Sequence, residues 1–362
     1  MTIEHDIPLS EFTTFRIGGA ARFFAHARSL EDLRQALAFA REKNIPYFIL
    51  GGGSNLLVSD DGFPGLVIRV ELRGVSSRRD GDDVLVEAAA GESWDALVDY
   101  AVANDLQGIE NLSGIPGTVG GAPVQNIGAY GSEVSSSVET VSVVDAEDGG
   151  AKELSRDDCR FAYRTSIFNT SDRGRYIVAA VTLRLRPRGA PALSYDAIAR
   201  EFEGKAAPTL REVREAVLAA RKKRGTLAGT YQNAGSFFKN AVVDDERFEK
   251  IRAIVLAKRA GEGAGCCPDP WHWELGSGEH KVAAACLVHC AGFPPGTRDG
   301  DAGTSPQQTL AVTNFGRATA RDIRAFAGKI AESVRALFGV ELEIEPVFVG
   351  MERLDAGENA LS

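Results

Sequence analysis

Asn111-Leu-Ser-Gly-Ile-Pro-Gly-Thr-Val-Gly-Gly121 runs on through Ala122-Pro-Val to Gln125-Asn-Ile-Gly-Ala-Tyr-Gly131. Gly114, Gly117, Gly120, Gly121, Gly128 and Gly131 fall within this one stretch, interleaved with Pro116, Asn126 and Tyr130. Plain turns do not need that density. Backbone so free of Cβ atoms can wrap closely around a large planar or phosphorylated ligand. A second cluster lies upstream, Gly51-Gly52-Gly53-Ser54-Asn55, directly after the apolar strand pattern Tyr47-Phe-Ile-Leu50. Consecutive glycines there let N–H groups converge on a diphosphate, with Ser54 and Asn55 adding side-chain donors; a tight turn between strands is the alternative. Neither cluster is a standard nucleotide loop. Leu56 stands where the dinucleotide fingerprint needs a small residue, and no Gly-x4-Gly-Lys-Ser/Thr occurs.

Working outward, the segment before the first cluster reads as a βαβ unit. Ser29 and Asp32 form a capping-box pattern, and Leu30, Leu33, Leu37 and Ala40 line one helical face up to the stop at Asn44 and Pro46. Leu66-Val-Ile-Arg-Val70 is the next strand. The pattern restarts with a strand at Val84–Glu87 and a helix from Ser93 to about Asp105, and strands are predicted at Val138–Val144 and Tyr176–Leu185. Helices are predicted from Thr209 to about Lys223, over Asp245–Ala260, and from Thr319 to a glycine stop at Gly339. Residues Gly261–Gly278 read as an ordered loop or insertion, on which Trp271 and Trp273 form a structural lid. Val340, Leu342 and Ile344 then alternate with Glu341, Glu343 and Glu345, the period of a half-buried strand.

Composition narrows the function classes. The 362 residues suggest two or three domains, and 41 Lys and Arg against 50 Asp and Glu give a net charge of −9. That balance argues against a nucleic-acid partner, while leaving room for a local basic pocket. No apolar run reaches the ~18–20 residues that cross a bilayer, and the amino terminus has no export signal, so a cytoplasmic protein without a membrane partner is expected. Five cysteines fit a reducing compartment. Cys286 and Cys290, near His272, His280 and His289, lack paired Cys-x2-Cys knuckles, so free thiols packed as small apolar side chains are expected and no metal. The vicinal Cys266 and Cys267 are not expected to bridge each other.

Two further clusters carry chemistry. In Arg160-Phe-Ala-Tyr-Arg-Thr-Ser-Ile-Phe168 the aromatic and apolar flanks make Arg164 a partly buried guanidinium, partnered either by an anionic ligand or by an internal Asp or Glu. In Asn233-Ala-Gly-Ser-Phe-Phe-Lys-Asn240 small neighbours expose Ser236 in a crevice, or the segment is an ordinary apolar strand; no Gly-x-Ser-x-Gly elbow marks a hydrolase nucleophile.

Taken in order, these motifs resemble one family. Phe12-Thr-Thr-Phe-Arg-Ile-Gly-Gly19, Leu50–Leu56, Ile115–Gly121, Gln125–Gly131, Tyr163-Arg-Thr-Ser166, Gly235–Asn240 and Glu341-Leu-Glu-Ile-Glu345 look like the UDP-N-acetylenolpyruvoylglucosamine reductases over residues 12 to 350. The resemblance implies an α/β and α+β protein. A two-subdomain FAD-binding domain of the PCMH, vanillyl-alcohol-oxidase-like type precedes an α+β substrate-binding domain. The implied bounds are 1–75 with a C-terminal return over 346–362, then 76–208 carrying a substrate-covering tyrosine loop, then 209–345. It implies non-covalent FAD held by Gly51, Gly52, Gly53, Ser54, Asn55 and Leu56, by Ile115, Pro116, Gly117, Thr118, Gly120 and Gly121, and by Gln125, Asn126, Gly128, Ala129 and Tyr130.

The resemblance further implies NADPH as donor and the enolpyruvyl ether of UDP-N-acetylglucosamine as substrate, reduced to UDP-N-acetylmuramate for peptidoglycan. Hydride from flavin N5 is expected to reach the enolpyruvyl methylene, with Arg164 and Glu345 stabilising the enolate and Ser236 supplying the proton, all on one face of the flavin. A bare carboxylate would repel an enolate, so Glu345 is expected to be protonated, or linked through water or Arg164. Tyr163, Tyr195, Arg224, Lys239, Asn240 and Gln308 are the implied substrate contacts. Arg224 stands nearest to the family's phosphate lysine, and Gln308 remains of a His-x-x-Gln stretch whose histidine is absent. An oxidase of the same flavin fold, often with a histidine for covalent flavin where Asn55 stands here, is the rival reading; a non-enzymatic nucleotide-sugar binder is the other. A monomer is the slightly favoured oligomeric state.

Overall fold

A computed structural model describes residues 1–351, apart from Lys205, Ala228, Ala264, Cys266, Pro268 and the side chain of Glu262. The chain forms two compact units, each assembled from separated segments. The first comprises Met1–Ile7, Ala21–Gly53 and Pro64–Lys223; the second comprises Pro8–Ala20, Ser54–Phe63 and the described residues from Arg224 onward. These bounds differ from the expected 1–75, 76–208 and 209–345. The helix Leu210–Lys223 groups with the residues before it, and two short N-terminal segments group with the C-terminal part.

In the first unit, strands Ile3–Pro8, Ala20–Ala27, Phe63–Val70 and Tyr47–Leu50 lie side by side in that order, the last two paired in parallel with Tyr47 opposite Leu66. Between strands runs the helix Leu30–Glu42. Ser29 and Asp32 close its capping box, and Asn44, left-handed at φ 50°, ends it while the Ile45 N–H returns to the Ala40 carbonyl. Leu33, Ala36, Leu37 and Ala40 are buried, but Leu30, expected on that face, is exposed: it is the first helical residue, before the stripe reaches the sheet.

A second, antiparallel sheet runs Ala151–Ser155, Val138–Asp145, Tyr176–Pro187, Asp83–Ala89, Val75–Asp80. The helix Trp94–Ala103, capped by Ser93, packs Trp94, Leu97 and Val98 into the same core as Leu33, Ile68, Val141 and Val181. Trp94 is fully buried and its indole N–H donates to the Leu112 carbonyl at 3.0 Å, which ties the helix to the start of the long glycine-rich stretch.

The second unit holds the strands Gln232–Asn233, Gln308–Asn314, Ala302–Ser305 and Arg298–Asp299 in one sheet and Ala241–Asp244, Glu279–Val282 and His272–Gly276 in another. Helices Asp245–Glu262, Ala284–Cys290 and Ala320–Phe338 accompany them. The last follows its sequence signals: Thr319 and Asp322 form the capping box and Gly339 turns left-handed at φ 63°. Ile323, Phe326, Ile330 and Val334 pack with Phe15, Leu57, Phe237 and Phe238. Val347–Val349 pairs in parallel with Leu56–Val58, and residues 352–362, the rest of the expected C-terminal return, lie outside the described residues.

Three expectations about this unit are corrected. The stretch Gly261–Gly278 is not all loop: the preceding helix extends to Glu262 and His272–Gly276 is a strand of a hairpin. Trp271 is no lid, because it is buried against Phe248 with ring centroids 5.8 Å apart. Cys286 is not a free thiol, because it is bonded to Cys267 across a sequence separation of 19. Cys266, the other half of the vicinal pair, lies outside the described residues.

Candidate functional site

The first glycine cluster follows the parallel strand Tyr47–Leu50, and the second follows the turn Glu110–Leu112. The two loops meet backbone to backbone. A Cβ on Gly52 would stand 2.6 Å from Gly117 Cα, and one on Gly51 would stand 2.8 Å from Thr118 Oγ1. Thr118 forms a bridge with Ser93 in which Trp94 N–H donates to Gly117 O and Val119 N–H donates to Glu92 O. That pattern turns the N–H of Thr118 itself away from Ser93. Among the described residues, the amides of Gly52, Gly53, Gly117 and Thr118 donate to no protein acceptor. N–H groups without a protein acceptor on two adjoining glycine loops fit the diphosphate of a dinucleotide such as FAD.

Downstream, Gly128–Ala129 and Ser132–Glu133 pair as a hairpin whose two central residues, Tyr130 and Gly131, have φ of 48° and 79°. Positive φ at both positions is the two-residue turn that matches strand twist, and it explains the glycine at 131. Asn126 is fully buried; its amide donates to Glu133 Oε2 at 2.8 Å and to Ala162 O at 3.0 Å and accepts from Ser135 N. Of the expected flavin residues, Asn126 therefore holds the loop together through all its side-chain groups.

Arg164 sits half-buried at φ 55° in the turn between Ala162 and Thr165. An arginine in left-handed backbone is unfavourable and is retained where surroundings over-determine it. Its Nη2 donates to Gly128 O at 2.8 Å, and the guanidinium lies 5.2 Å from the Tyr163 ring centroid. Tyr195 meets Tyr130 edge-on, with centroids 5.4 Å apart. The first unit thus gathers both glycine loops, the hairpin, Tyr163, Arg164 and Tyr195.

The second unit carries Ser236, Glu345, Asn55, Lys239, Asn240, Gln308 and Arg224. Asn233 Oδ1 accepts from Gly235 N at 3.0 Å, and Gly235, at φ 76°, leaves open space beside Ser236. The next two residues, Phe237 and Phe238, are fully buried anchors. Phe238 bridges Ile344, with Glu345 N donating to Phe237 O at 2.9 Å and Lys239 N to Glu343 O at 2.8 Å. This isolated bridge brings Ser236 and Glu345, 109 positions apart by number, onto neighbouring segments of chain. Asn55 joins them: its amide donates to Glu345 O at 3.3 Å and its carbonyl accepts from Val347 N at 2.9 Å. Val340, Leu342 and Ile344 are buried and Glu341 and Glu343 exposed, as the alternation predicts, but the expected strand is not formed: Ile344 makes a single bridge, and Glu345 is half-buried.

The remaining expected substrate contacts of this unit have the following positions. Lys239 Nζ is paired with Glu343 Oε1 at 2.6 Å, Asn240 Oδ1 accepts the Ala284 amide at the start of a helix, and Gln308 opens a strand. Arg224 is exposed.

Several charged groups escaped the sequence reading. Arg214 forks onto Asp95 at 2.6 and 3.0 Å, and Gly114 N donates to the same carboxylate at 2.6 Å. Burial pushes the Asp95 carboxyl up, but Arg214, the Gly114 amide and the charge of Arg221 outweigh it and hold it below its ordinary value. Arg221 is buried beside Gly114, and that burial draws its guanidinium below its usual range against the opposing pull of Tyr130 and Asp95. Its position was readable: Leu210, Val213, Val217 and Arg221 share one helical stripe. No group of three or more His, Cys, Asp or Glu able to hold a metal occurs among the described residues, nor does any helix long and apolar enough to cross a membrane.

A family model described as FAD binding domain matches residues 21–155, and one described as UDP-N-acetylenolpyruvoylglucosamine reductase, C-terminal domain, matches residues 228–349. The chain is 41% identical over 349 residues to the UDP-N-acetylenolpyruvoylglucosamine reductase of Pseudomonas aeruginosa, covering 96% of this chain and 98% of that one. It is 38% identical over 355 residues to that of Thermobifida fusca, covering 96% and 98%. Among solved structures, UDP-N-acetylenolpyruvylglucosamine reductase from Thermus caldophilus aligns with a TM-score of 0.65 at 26% identity, covering 96% and 99%. The chain belongs to the UDP-N-acetylenolpyruvoylglucosamine reductase family of FAD-dependent oxidoreductases.

Proposed function

We propose that this protein reduces the enolpyruvyl ether of UDP-N-acetylglucosamine to UDP-N-acetylmuramate with NADPH as the electron source, in peptidoglycan precursor synthesis. The observation that carries the reading is the backbone bridge joining Phe237 to Glu345, which sets a serine and a half-buried carboxyl on adjacent segments beside Asn55. FAD, held by the two glycine loops, supplies the hydride chemistry when bound.

The residues of the chain do the rest. Saturating the enolpyruvyl double bond requires one hydride and one proton, and the intermediate charge spreads into the substrate carboxylate as an enolate. Arg164 binds that carboxylate; its planar fork suits the task, and its turn is already anchored to Gly128 O. Ser236 delivers the proton to the carbon that bears the carboxylate, from a backbone position fixed by Asn233 before it and two buried phenylalanines after it. Glu345 lies beside the enolate. Lys239 is held by its ion pair with Glu343, which ties the two bridged segments together. Tyr195 contacts the substrate diphosphate, with Tyr163, Asn240, Gln308 and Arg224 as further substrate contacts. The cytoplasm, with its pools of nucleotide sugars and NADPH, is the compartment this reading assigns.

The test is anaerobic reduction of the FAD-loaded protein with NADPH, followed by the enolpyruvyl sugar nucleotide. Rapid return of the oxidised flavin spectrum on adding that compound is expected. Reoxidation by oxygen alone, with no response to the sugar nucleotide, would make the protein an oxidase.

A further inference from the structure

Glu110 and Asn111 are each about 1% exposed, side by side on the turn Glu110–Leu112. Burying a carboxyl and a carboxamide together is costly unless both are hydrogen-bonded. Their partners converge on one residue. Glu110 Oε1 accepts from Ala192 N at 3.0 Å, and Asn111 Nδ2 donates to Ala192 O at 2.9 Å. Two adjacent side chains therefore grip both polar groups of a single residue, three positions before Tyr195. Glu110 Oε2 accepts from Gly108 N at 2.9 Å, and Asn111 Nδ2 also reaches Tyr130 O and Ser132 Oγ, each at 3.2 Å. Two of the three groups facing Nδ2 are carbonyls, which fixes the amide's orientation and leaves Oδ1 buried without a protein partner.

Past the grip, the segment runs over the hairpin turn. A Cβ on Gly131 would stand 2.7 Å from Ser194 Oγ and 3.5 Å from Tyr195 Cβ. Tyr195 then meets Tyr130 edge-on, and Ile198 is buried with Val213 and Val217. Ala192 is thus pinned on one side of Tyr195 and Ile198 on the other.

We infer that Glu110 and Asn111 are positioning residues for Tyr195, fixing the 192–195 segment over the Tyr130–Gly131 turn so that the phenol is preorganised for the substrate. The inference rests on the proposed role of Tyr195 as a substrate contact. Preorganisation acts on affinity by removing the cost of ordering the segment at the moment of binding.

The experiment uses the full-length FAD-loaded protein at saturating NADPH, with the enolpyruvyl sugar nucleotide varied. Asn111→Ala is expected to raise KM for that substrate about tenfold, the size of one lost buried hydrogen bond, with kcat within about twofold. Tyr195→Phe is expected to raise KM as well, and the double variant to be no worse than Tyr195→Phe alone, because the amide acts through the phenol. Effects that multiply in the double variant, or a KM that Asn111→Ala leaves unmoved while Tyr195→Phe raises it, overturn the inference alone. A KM unmoved by Tyr195→Phe overturns the Tyr195 assignment and the inference together. Should Asn111→Ala fail to retain flavin, Glu110→Gln carries the same test: an amide of equal size accepts from only one of Ala192 N and Gly108 N, and the same KM pattern is expected.

Discussion

Replacing Gly52 by alanine tests the claim that two glycine loops jointly hold the flavin. The new Cβ would stand 2.6 Å from Gly117 Cα and 3.1 Å from its carbonyl carbon, against an ordinary contact of at least 3.4 Å. The loops must part by about 0.8 Å, and neither side yields easily. Gly117 O is tied to Trp94 N, and Val119 and Gly120 donate to Glu92 O and Ala90 O. Leu50, two residues before Gly52, is locked in a parallel ladder opposite Arg69. Overpacking against such fixed backbone costs about 1–3 kcal/mol. A variant that relieves the overlap by parting the loops has to close them again on a diphosphate held by both, so as much as this whole cost falls on binding. The dissociation constant for FAD should rise roughly 5- to 150-fold. Gly51→Ala is the control, since its Cβ would meet only Thr118 Oγ1, a side-chain atom that can turn away. Reconstitution of apoprotein, followed by quenching of flavin fluorescence, measures both. A Gly52→Ala protein that binds FAD as tightly as the parent, or a Gly51→Ala protein that binds worse than Gly52→Ala, would refute the two-loop cradle.

Ser236→Ala should slow reoxidation of reduced flavin by the sugar nucleotide by about 10²–10⁴, far more than it slows reduction by NADPH; stopped-flow absorbance separates the two, and equal slowing would make the serine structural. Asp95, held below its ordinary pKa chiefly through Arg214, contributes stability that is complete above the unfolded carboxyl value near ~3.9 and lost as pH falls through the lower folded value. Thermal melts from pH 6 down to pH 2.5 should therefore show Asp95→Asn starting lower and losing less than the parent at the acid end; parallel acid limbs would contradict this. Burial pushes the Cys159 thiol up to about 12, so iodoacetamide at pH 8 should leave it unlabelled in the native protein and label it in guanidinium. Peptide mapping decides, and native labelling would count against that burial.

Local order was legible where local chemistry dictates it. The Ser29–Asp32 and Thr319–Asp322 boxes, the left-handed Asn44 and Gly339, and the strand Tyr47–Leu50 all follow from residues within one turn of the feature they set. What depends on distant partners was not. Glu341, Glu343 and Glu345 share one alternation, but only Glu345 is half-buried, on a segment whose backbone Asn55 holds from 290 positions away. Cys286 reads as a small apolar side chain until the hairpin brings Cys267 to it. Glu110 and Asn111 would pass for solvated polar residues, since nothing in their immediate neighbours announces that Ala192 arrives to satisfy them. Arg221 differs: Leu210, Val213 and Val217 form an apolar stripe on its own helix that continues to its position, so its burial follows from local spacing.

The interleaving of the two units bears on how the polypeptide matures. Phe15 and Leu57 leave the ribosome early, yet the phenylalanines and aliphatic side chains that enclose them are translated from Ala234 onward. Until then these apolar groups have no native home and must be kept from wrong associations, so completion of the second unit waits for the end of synthesis. For the same reason, a fragment beginning at Arg224 lacks Leu56–Val58, the strand that Val347–Val349 needs, and cutting the gene at that point yields no self-sufficient half.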